Sequence, residues 1–240
     1  AQAHGALYKG RMVGTFGDIA AFSTMSGKHH ATGPQGGVVF TRDEALVWES
    51  KRFSDRGKPF NTEATSNLRA GLNLNGNDLS AAIGRVQLRR IVAMNDRRHQ
   101  VAEQIEEGIA GLKAVRLGWQ TEQTQGVYWF MRFHVDVDKL TVDKDSFAKA
   151  VASEGVPVSA SYRYLPSEAI WFRERKVFPG SDYPWGLPAY QGDRNAEFPC
   201  PNAVQSVERH CVMSIHENWS EQEAADVVAA LAKVEAAYLR

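Results

Sequence analysis

Apolar positions near the start of the chain fall into short runs separated by a glycine-rich turn. The two runs are residues 19–23 and 38–41, and the turn between them includes Gly33, Gly36 and Gly37. Short apolar runs bounded by turn residues are typical of buried strands. We therefore predict two buried strands at the edge of a cleft, and we expect function to lie at the turn that joins them.

Apolar residues at helical spacing follow these strands. A helix opened by an Asp-Glu pair is predicted at residues 43–53, with a polar loop over residues 52–67. A much longer helix is predicted from Asp78, the expected N-cap. We expect this helix to link two domains. Its apolar positions are Leu79, Ile83, Val86, Leu88, Ile91, Val101, Ile105 and Ile109.

Shorter elements alternate beyond Gly111, as in a small α+β domain. The final helix is predicted to start at Ser220, because Glu223 three residues later completes a capping box. Residues 164–201 are irregular and rich in aromatic residues and proline. The other predicted elements are strands at 127–137, 156–162 and 212–215 and a helix at 143–153.

Composition excludes several classes of protein. The chain has 240 residues, of which 43% are hydrophobic, so one large or two small globular domains are expected. Lysine plus arginine equals aspartate plus glutamate at 28 each, so no global field attracts nucleic acid or an anionic membrane. Cys200 and Cys211 form no CxxC pair, no apolar run approaches the roughly 20 residues of a membrane span, and the first residues do not resemble a signal peptide. We expect a cytoplasmic protein that binds neither nucleic acid nor a membrane.

The glycine-rich turn carries the candidate chemistry. Ser23 and Lys28 place a hydroxyl and an amine a few residues apart. Pyridoxal phosphate carries its aldehyde and its phosphate on neighbouring ring carbons, so a loop that bonds one and cradles the other needs this pair. A lysine in such a site can serve as anchor and then as acid-base catalyst. The alternative is that Lys28 is a solvated loop lysine.

Several short motifs follow one another along the first part of the chain. They are Gln2-Ala3-His4-Gly5-Ala6, Gly10-Arg11, Val13-Gly14, Gly17-Asp18, Phe22-Ser23 with Lys28, Thr32-Gly33, Gly36-Gly37, Gly71-Leu72-Asn73, Ala81-Ala82-Ile83-Gly84 and Gln87-Leu88. In this order they resemble the DegT/DnrJ/EryC1/StrS sugar aminotransferases. The resemblance is strong over residues 1–92 and weak afterwards, through Tyr164-Leu165-Pro166 and Met213 to His216.

The resemblance implies a fold, a reaction and a set of site residues. The fold is the pyridoxal-phosphate-dependent transferase fold of type I, an α/β fold of the aspartate-aminotransferase kind. Residues 1–92 are expected to form the C-terminal part of its large domain, and residues 93–240 a linking helix and a small C-terminal α+β domain. The reaction is transfer of an amino group, from L-glutamate, to a ketosugar that is nucleotide-linked or a keto-sugar acid.

Four residues inherit roles from the resemblance. Lys28 is implied to form the Schiff base, Ser23 to bind the cofactor phosphate, and Gln2 to lie beside the ring hydroxyl. Asn73 is implied to reach the phosphate of the partner subunit's cofactor, so a homodimer with shared active sites is expected. The alternative for Asn73 is an asparagine that only shapes its turn.

The chain also departs from the family pattern. Thr24 stands where an aromatic residue is usual, and the turn from Gly33 to Gly37 is one residue longer than in the family. Leu74 and Asn75 replace an aromatic-arginine pair, which removes a cation from the site. The candidates to replace that cation are Arg56, Arg69 and Arg163.

The family's aspartate for the pyridine nitrogen lies three residues before the glutamine, and the chain begins just past it, at Ala1. We therefore expect these residues to be the C-terminal part of a longer enzyme and to lack transaminase activity alone. Detection of glutamate-dependent turnover by these residues would overturn that expectation.

Other interpretations remain open beside the aminotransferase. Relatives that dehydrate sugars carry histidine at the lysine position, whereas here Lys28 precedes His29 and His30, which favours transamination. A binding or regulatory protein without the cofactor is a further alternative. No metal site is predicted, because the histidines and cysteines fit no zinc spacing. The aromatic residues of the irregular segment form either a sugar or nucleotide platform or loop packing.

Overall fold

A computed structural model describes residues 1–162 and 165–240. Two compact units can be distinguished within these residues. The first unit consists of Ala1–Ile105, Trp119–Phe130 and Ile215–Ala224. The second consists of Glu106–Gly118, Met131–Ser214 and Ala225–Arg240.

The elements alternate between short strands and helices. The strands are β1 (Leu7–Tyr8), β2 (Arg11–Met12), β3 (Ile19–Ser23), β4 (Gly37–Thr41), β5 (Val115–Leu117), β6 (Thr124–Gln125), β7 (Met131–Val135), β8 (Val158–Ser159) and β9 (His210–Met213). The α-helices are α1 (Glu44–Ser54), α2 (Asp78–Ile109), α3 (Lys144–Ser153), α4 (Ile170–Arg173), α5 (Pro201–Arg209) and α6 (Glu221–Tyr238). Short 3₁₀ turns lie at Val137–Lys139 and Pro166–Glu168.

The first unit contains the predicted pair of strands. β3 and β4 form an antiparallel hairpin whose register runs from Ile19 opposite Thr41 to Ser23 opposite Gly37. The expectation that both strands are buried is wrong for this chain, since Val39 is 54% exposed. Within the described residues β3 and β4 pair only with each other, and the side chains of Ile19 and Val38 are also exposed.

The two helices of the first unit begin at polar caps. Asp43 caps α1, and its Oδ1 accepts hydrogen bonds from the amides of Ala45 and Leu46. The expected N-cap of α2 is off by one residue, because Asp78 is already helical and Asn77 accepts the amide of Ser80 at 2.9 Å. Helix α2 belongs to the first unit up to Ile105 and to the second unit from Glu106.

The second unit is built on an antiparallel sheet of strand order β5-β7-β9-β8. Strand β7 alternates buried and open positions, so one of its faces enters the core with the apolar sides of α3 and α6. The core includes Val115, Met131, Phe133, Val135, Phe147, Val151, Met213, Leu231 and Val234.

Three predicted strand boundaries are corrected. β7 starts at Met131 rather than 127, because Tyr128 has a φ of 44° that breaks the extended conformation. β8 covers only Val158–Ser159, and the Ser159 hydroxyl bonds the backbone of Ser161, which competes with strand pairing. β9 is shifted to His210–Met213 and follows helix α5, which the sequence analysis did not predict.

A buried carboxylate fixes the start of the sheet. Glu235 of α6 is 4% exposed, and its two oxygens accept the amides of Lys113, Ala114 and Val115 at 2.8, 2.6 and 2.9 Å. These bonds satisfy the backbone where β5 begins and tie it to α6. The final helix starts as predicted, since the Glu223 carboxylate accepts the amide of Ser220 at 2.7 Å.

The irregular aromatic segment is a packed cluster. Phe172 lies 5.8 Å from Trp185 and 5.6 Å from Phe198, measured between ring centroids. Arg175 covers Phe172 and Trp185 and donates to the carbonyls of Phe172, Arg194 and Ala196. These contacts agree with the interpretation of this segment as loop packing.

Two kinds of feature, a membrane-spanning helix and a metal-binding cluster, are absent from the described residues. No helix in residues 1–162 and 165–240 has the length and apolar character needed to cross a membrane. The same residues bring no three His, Cys, Asp or Glu side chains together in a way that could hold a metal ion.

Candidate active site

The loop between β3 and β4 is closed by a buried pair of threonines. Thr24 is 1% exposed, and its hydroxyl lies 2.7 Å from that of Thr32. The backbone closes around the pair, because the Thr24 amide donates to the Gly36 carbonyl at 2.9 Å and the Thr32 amide to the Thr24 carbonyl at 2.9 Å. Thr24, an exception to the family pattern, therefore holds the turn together.

Gly36 is the residue that lets the loop close. A Cβ there would lie 2.5 Å from Thr24 Oγ1 and 2.8 Å from Thr32 Oγ1, distances that side-chain contacts do not reach. The glycine is thus required by the close approach of the two threonines. The loop that carries Lys28 depends on this packing.

Lys28 lies half-buried on the loop against an indole ring. Its Nζ is 4.1 Å from the ring centroid of Trp129, a cation-π contact. Trp129 is held in place because its Nε1 donates to the Gly27 carbonyl at 2.6 Å. Among the described residues no carboxylate pairs with the Lys28 amine, so its charge has no acidic neighbour to compensate it.

The structure places Ser23 and Gln2 in the same unit as Lys28. Ser23 is the last residue of β3, and its hydroxyl accepts a long hydrogen bond of 3.4 Å from the Met25 amide. Gln2 is half-buried and belongs to the N-terminal segment that leads into the buried His4.

Three histidines line the interior beside the loop. His4 is 6% exposed and His29 is 2% exposed. His29 Nε2 bonds the Val127 carbonyl at 2.9 Å, and His30 Nε2 bonds the Gly84 carbonyl at 2.9 Å. The two histidines after Lys28 therefore anchor the loop to neighbouring segments.

Burial sets the charge of these rings. It is the main cause that lowers the pKa of His4 and of His29 to about 4, and neighbouring positive charges act in the same direction. Both rings are neutral at pH 7. Within the described residues neither ring nitrogen of His4 has a hydrogen-bond partner.

A buried ion pair holds the Tyr128 to Trp129 segment. Arg98 of α2 bonds Glu217 at 2.8 to 2.9 Å and donates to the carbonyls of Tyr128 and Ile215. Burial raises the pKa of Glu217, but the backbone amide of Glu217, Arg98 and His216 outweigh burial and lower it. The pair therefore stays charged and fixes the backbone that presents Trp129.

Asn73 lies on an exposed loop of the first unit, attached to the end of α1. Its backbone forms a bridge with Asp55, and its Oδ1 accepts a hydrogen bond of 2.8 Å from Asn75 Nδ2. Gly57 and Gly71 make this possible, because a Cβ at Gly57 would lie 1.9 Å from the Arg69 carbonyl oxygen.

The candidate replacements for the missing cation have other partners. Arg56 pairs with Asp55 at 2.7 Å, and Arg69 pairs with Glu49 at 2.7 Å. Arg163 and Tyr164 lie outside the described residues.

The residues of the loop fit pyridoxal phosphate in their chemistry. An amine without an acidic partner among the described residues suits an aldehyde and an adjoining phosphate, and Ser23 lies at the end of β3, where the loop begins. The tight closure at Gly36 gives the loop a fixed shape.

Sequence reasoning missed three residues that the structure places near these groups. Trp129 contacts Lys28 from 101 positions away, Asn95 donates to the His4 carbonyl at 2.8 Å, and Asp55 supports Asn73. No local sequence signal pointed to them, since Tyr128 and Trp129 were expected to lie in a strand.

Comparison with known proteins gives one family. The family model described as the DegT/DnrJ/EryC1/StrS aminotransferase family matches residues 1–232. An uncharacterized protein of Methanocaldococcus jannaschii is 25% identical over 98% of this chain and 58% of its own length. The dTDP-3-amino-3,4,6-trideoxy-alpha-D-glucose transaminase of Streptomyces venezuelae is 32% identical over 53% of this chain and 33% of its own length.

A solved structure agrees with the family. The aminotransferase from Psychrobacter cryohalolentis superimposes with a TM-score of 0.78 at 25% identity, over 98% of this chain and 60% of that chain. The predicted fold class, part of the pyridoxal-phosphate-dependent transferase fold of type I, is confirmed. The chain belongs to the DegT/DnrJ/EryC1/StrS aminotransferase family. The chain spans only 58% of the length of the Methanocaldococcus jannaschii protein and 60% of the length of the Psychrobacter cryohalolentis aminotransferase.

Proposed function

We propose that the full-length protein is a pyridoxal-phosphate-dependent aminotransferase that moves an amino group from L-glutamate to a ketosugar. The observation that carries the proposal is the Lys28 amine, which lies against Trp129 in a closed loop and has no acidic partner among the described residues. Family membership supports the reaction class. The transaminase activity named for the Streptomyces venezuelae relative supports a sugar as acceptor.

Lys28 has two roles in this proposal. When bound, the cofactor supplies an aldehyde that bonds amines and a ring that withdraws electrons from them. Lys28 would hold the cofactor through its Nζ until an amino donor takes that place. The free Nζ would then be available to take up and return a proton at the α-carbon of the donor.

The other site residues bind and orient. The Ser23 hydroxyl donates a hydrogen bond to the phosphate, and Gln2 lies against the ring hydroxyl. Asn73 donates to the phosphate in the partner subunit's site, so the working unit is a homodimer. In this arrangement residues 1–92 complete the large domain and residues 93–240 form the linking helix and the small domain.

The ketosugar is nucleotide-linked or a keto-sugar acid, and the protein acts in the cytoplasm in the synthesis of amino sugars. The lysine at position 28 favours transamination over dehydration, because the family's dehydratases are expected to carry histidine there. The freed lysine amine is what returns the proton in a transaminase.

Trapping the lysine tests the proposal directly. The full-length protein is incubated with pyridoxal phosphate, reduced with borohydride and digested. The mass of the peptide that contains Lys28 is then measured by mass spectrometry. We expect the cofactor mass on Lys28 in the native protein and on no lysine in Lys28→Arg. Lys149→Arg, an exposed helical lysine, is the matched control and should label like the native protein. A native protein that stays unlabelled overturns the proposal and favours a binding protein of the same fold.

A second measurement separates the two reactions. The full-length protein with bound pyridoxal phosphate is mixed with L-glutamate in the absence of a sugar, and the moles of 2-oxoglutarate released per active site are measured. A transaminase releases about one equivalent, because the amino group stays on the cofactor. If no 2-oxoglutarate is released and a ketosugar loses water, the protein is a dehydratase.

A further inference from the structure

The side chain of Asn73 takes part in a short relay of hydrogen bonds. One nitrogen, Nδ2 of Asn75, lies 3.0 Å from Asp55 Oδ1 and 2.8 Å from Asn73 Oδ1. Since Nδ2 carries two hydrogens, it can donate to both oxygens at once. Asp55 and Asn73 therefore both accept hydrogen bonds from the Asn75 amide, which lies between them.

Asp55 fixes the first step of the relay. It is 7% exposed, and it accepts hydrogen bonds from Lys58 Nζ at 2.9 Å and from Arg56 Nε at 2.8 Å. The hydrogen bonds from Lys58 and Asn75, followed by those from Arg56, hold the pKa of Asp55 below its usual range. An ionised carboxylate only accepts hydrogen bonds.

The orientation of both amides follows from that charge. Asn75 must turn its nitrogen toward Asp55, because its own carbonyl oxygen would face another acceptor there. The second hydrogen of that nitrogen is donated to Asn73 Oδ1, which lies 2.8 Å away. The remaining group of Asn73, its Nδ2, faces away from the relay as a donor.

We infer that Asp55 and Asn75 are positioning residues that fix the Asn73 amide with its Nδ2 outward, ready to donate to a phosphate oxygen. The inference rests on the proposed role of Asn73 at the cofactor phosphate. It explains why an asparagine at position 75 can stand where the family pattern has an arginine. The relay supplies an oriented donor instead of a cation.

The surroundings suit an anionic group. Asn73 and Asn75 are exposed, and the side chains of Arg56 and Lys58, which neutralise Asp55, are 49% and 40% exposed. Their positive charge adds to the attraction for a phosphate at this loop.

The affinity for pyridoxal phosphate, compared with that for pyridoxal, tests the inference in the full-length protein. Pyridoxal has the aldehyde but no phosphate, so it reports the lysine bond alone. Asn75→Ala removes the donor and should weaken pyridoxal phosphate binding by roughly tenfold. Asn75→Asp should weaken it by up to about a hundredfold, since its carboxylate accepts and turns the Asn73 amide around. Binding of pyridoxal should change by less than about twofold in both variants.

Two further variants complete the design. Asn202→Asp, an exposed asparagine of α5, introduces the same charge change elsewhere and should bind both compounds like the native protein. In an Asn73→Ala background, the uncharged change Asn75→Ala should have no further effect on affinity, because the group that Asn75 orients is gone.

The outcomes separate this inference from the proposed function. A native protein that binds neither compound overturns both. If the native protein prefers pyridoxal phosphate but Asn75→Asp binds it equally well, the positioning role is wrong and the proposed function stands. Equal weakening for both compounds, or a full effect of Asn75→Ala without the Asn73 amide, indicates general loop damage and also overturns the inference.

Discussion

Replacing Gly36 with alanine tests whether the closed loop is what presents Lys28. The added Cβ would lie 2.5 Å from Thr24 Oγ1 and 2.8 Å from Thr32 Oγ1, inside the buried pair. Threonine side chains are stiff, so relief requires one hydroxyl to rotate and leave its partner. We expect the loop to open or to strain.

The magnitude follows from three contributions. Overpacking of a buried site costs about 1–3 kcal/mol, and loss of a buried hydrogen bond with an unpaired hydroxyl costs about 1–3 kcal/mol. Removing a glycine from the unfolded chain returns about 0.4–1 kcal/mol, because φ at Gly36 is not in the left-handed region. The net loss is about 1–5.5 kcal/mol, which lowers the melting temperature by on the order of 10 °C.

Thermal unfolding and cofactor binding measure the effect, with Gly17→Ala as the matched control. Gly17 has no atom within 4 Å of its added Cβ, so alanine should be tolerated there. Gly36→Ala should also weaken binding of pyridoxal phosphate, since Lys28 lies on the same loop. In a background with Thr24→Ala and Thr32→Ala the clash disappears, and Gly36→Ala should cost little. Equal melting temperatures for the two glycine variants would refute the reasoning.

Three further predictions concern buried charge. Glu235→Gln should lower the hydrogen-exchange protection of the amides that donate to this carboxylate by roughly 10-fold to 100-fold, because hydrogen bonds to a charged acceptor are worth about 1.5–3 kcal/mol. Unchanged protection of these amides contradicts the prediction. Burial lowers the pKa of His4 and of His29 from 6.5 to about 4 in the folded state, so stability should be full above pH 6.5 and fall as pH drops toward 4. His4→Phe should roughly halve the change of the urea midpoint between these pH values, because His29 still contributes, and an unchanged slope contradicts the role of His4. Glu217→Gln leaves Arg98 buried without its charge partner and should cost about 3–5 kcal/mol in urea unfolding, whereas an unchanged midpoint would argue against a buried pair.

Features that depend on neighbours in sequence could be predicted. The caps at Asp43 and Ser220 are local hydrogen bonds, so residue type and spacing were enough to place the helix starts. The short spacing of Ser23 and Lys28 likewise puts both in one loop whatever the rest of the chain does. These predictions required no knowledge of the tertiary structure.

Features that depend on distant contacts could not be predicted. Trp129 bonds the Gly27 carbonyl across 102 positions, and the strand expected from 127 ends early because Tyr128 turns to a φ of 44°. The relay at Asn73 depends on the hydrogen bond from Asn75 to the Asp55 carboxylate, and these two residues are 20 positions apart. The composition and the periodicity of a sequence carry no information about contacts between residues that are far apart in the chain.

Helix α2 shows where periodicity reaches its limit. The apolar spacing that begins at Leu79 continues to Ile105 and predicts one apolar face along the helix. Leu79 is 80% exposed, Leu88 is 58% exposed and Ile105 is fully buried. The pattern is the same in both halves, so it identifies the face that favours burial and not the atoms that cover it. Coverage is set by tertiary packing, which hydrophobic spacing along one helix does not specify.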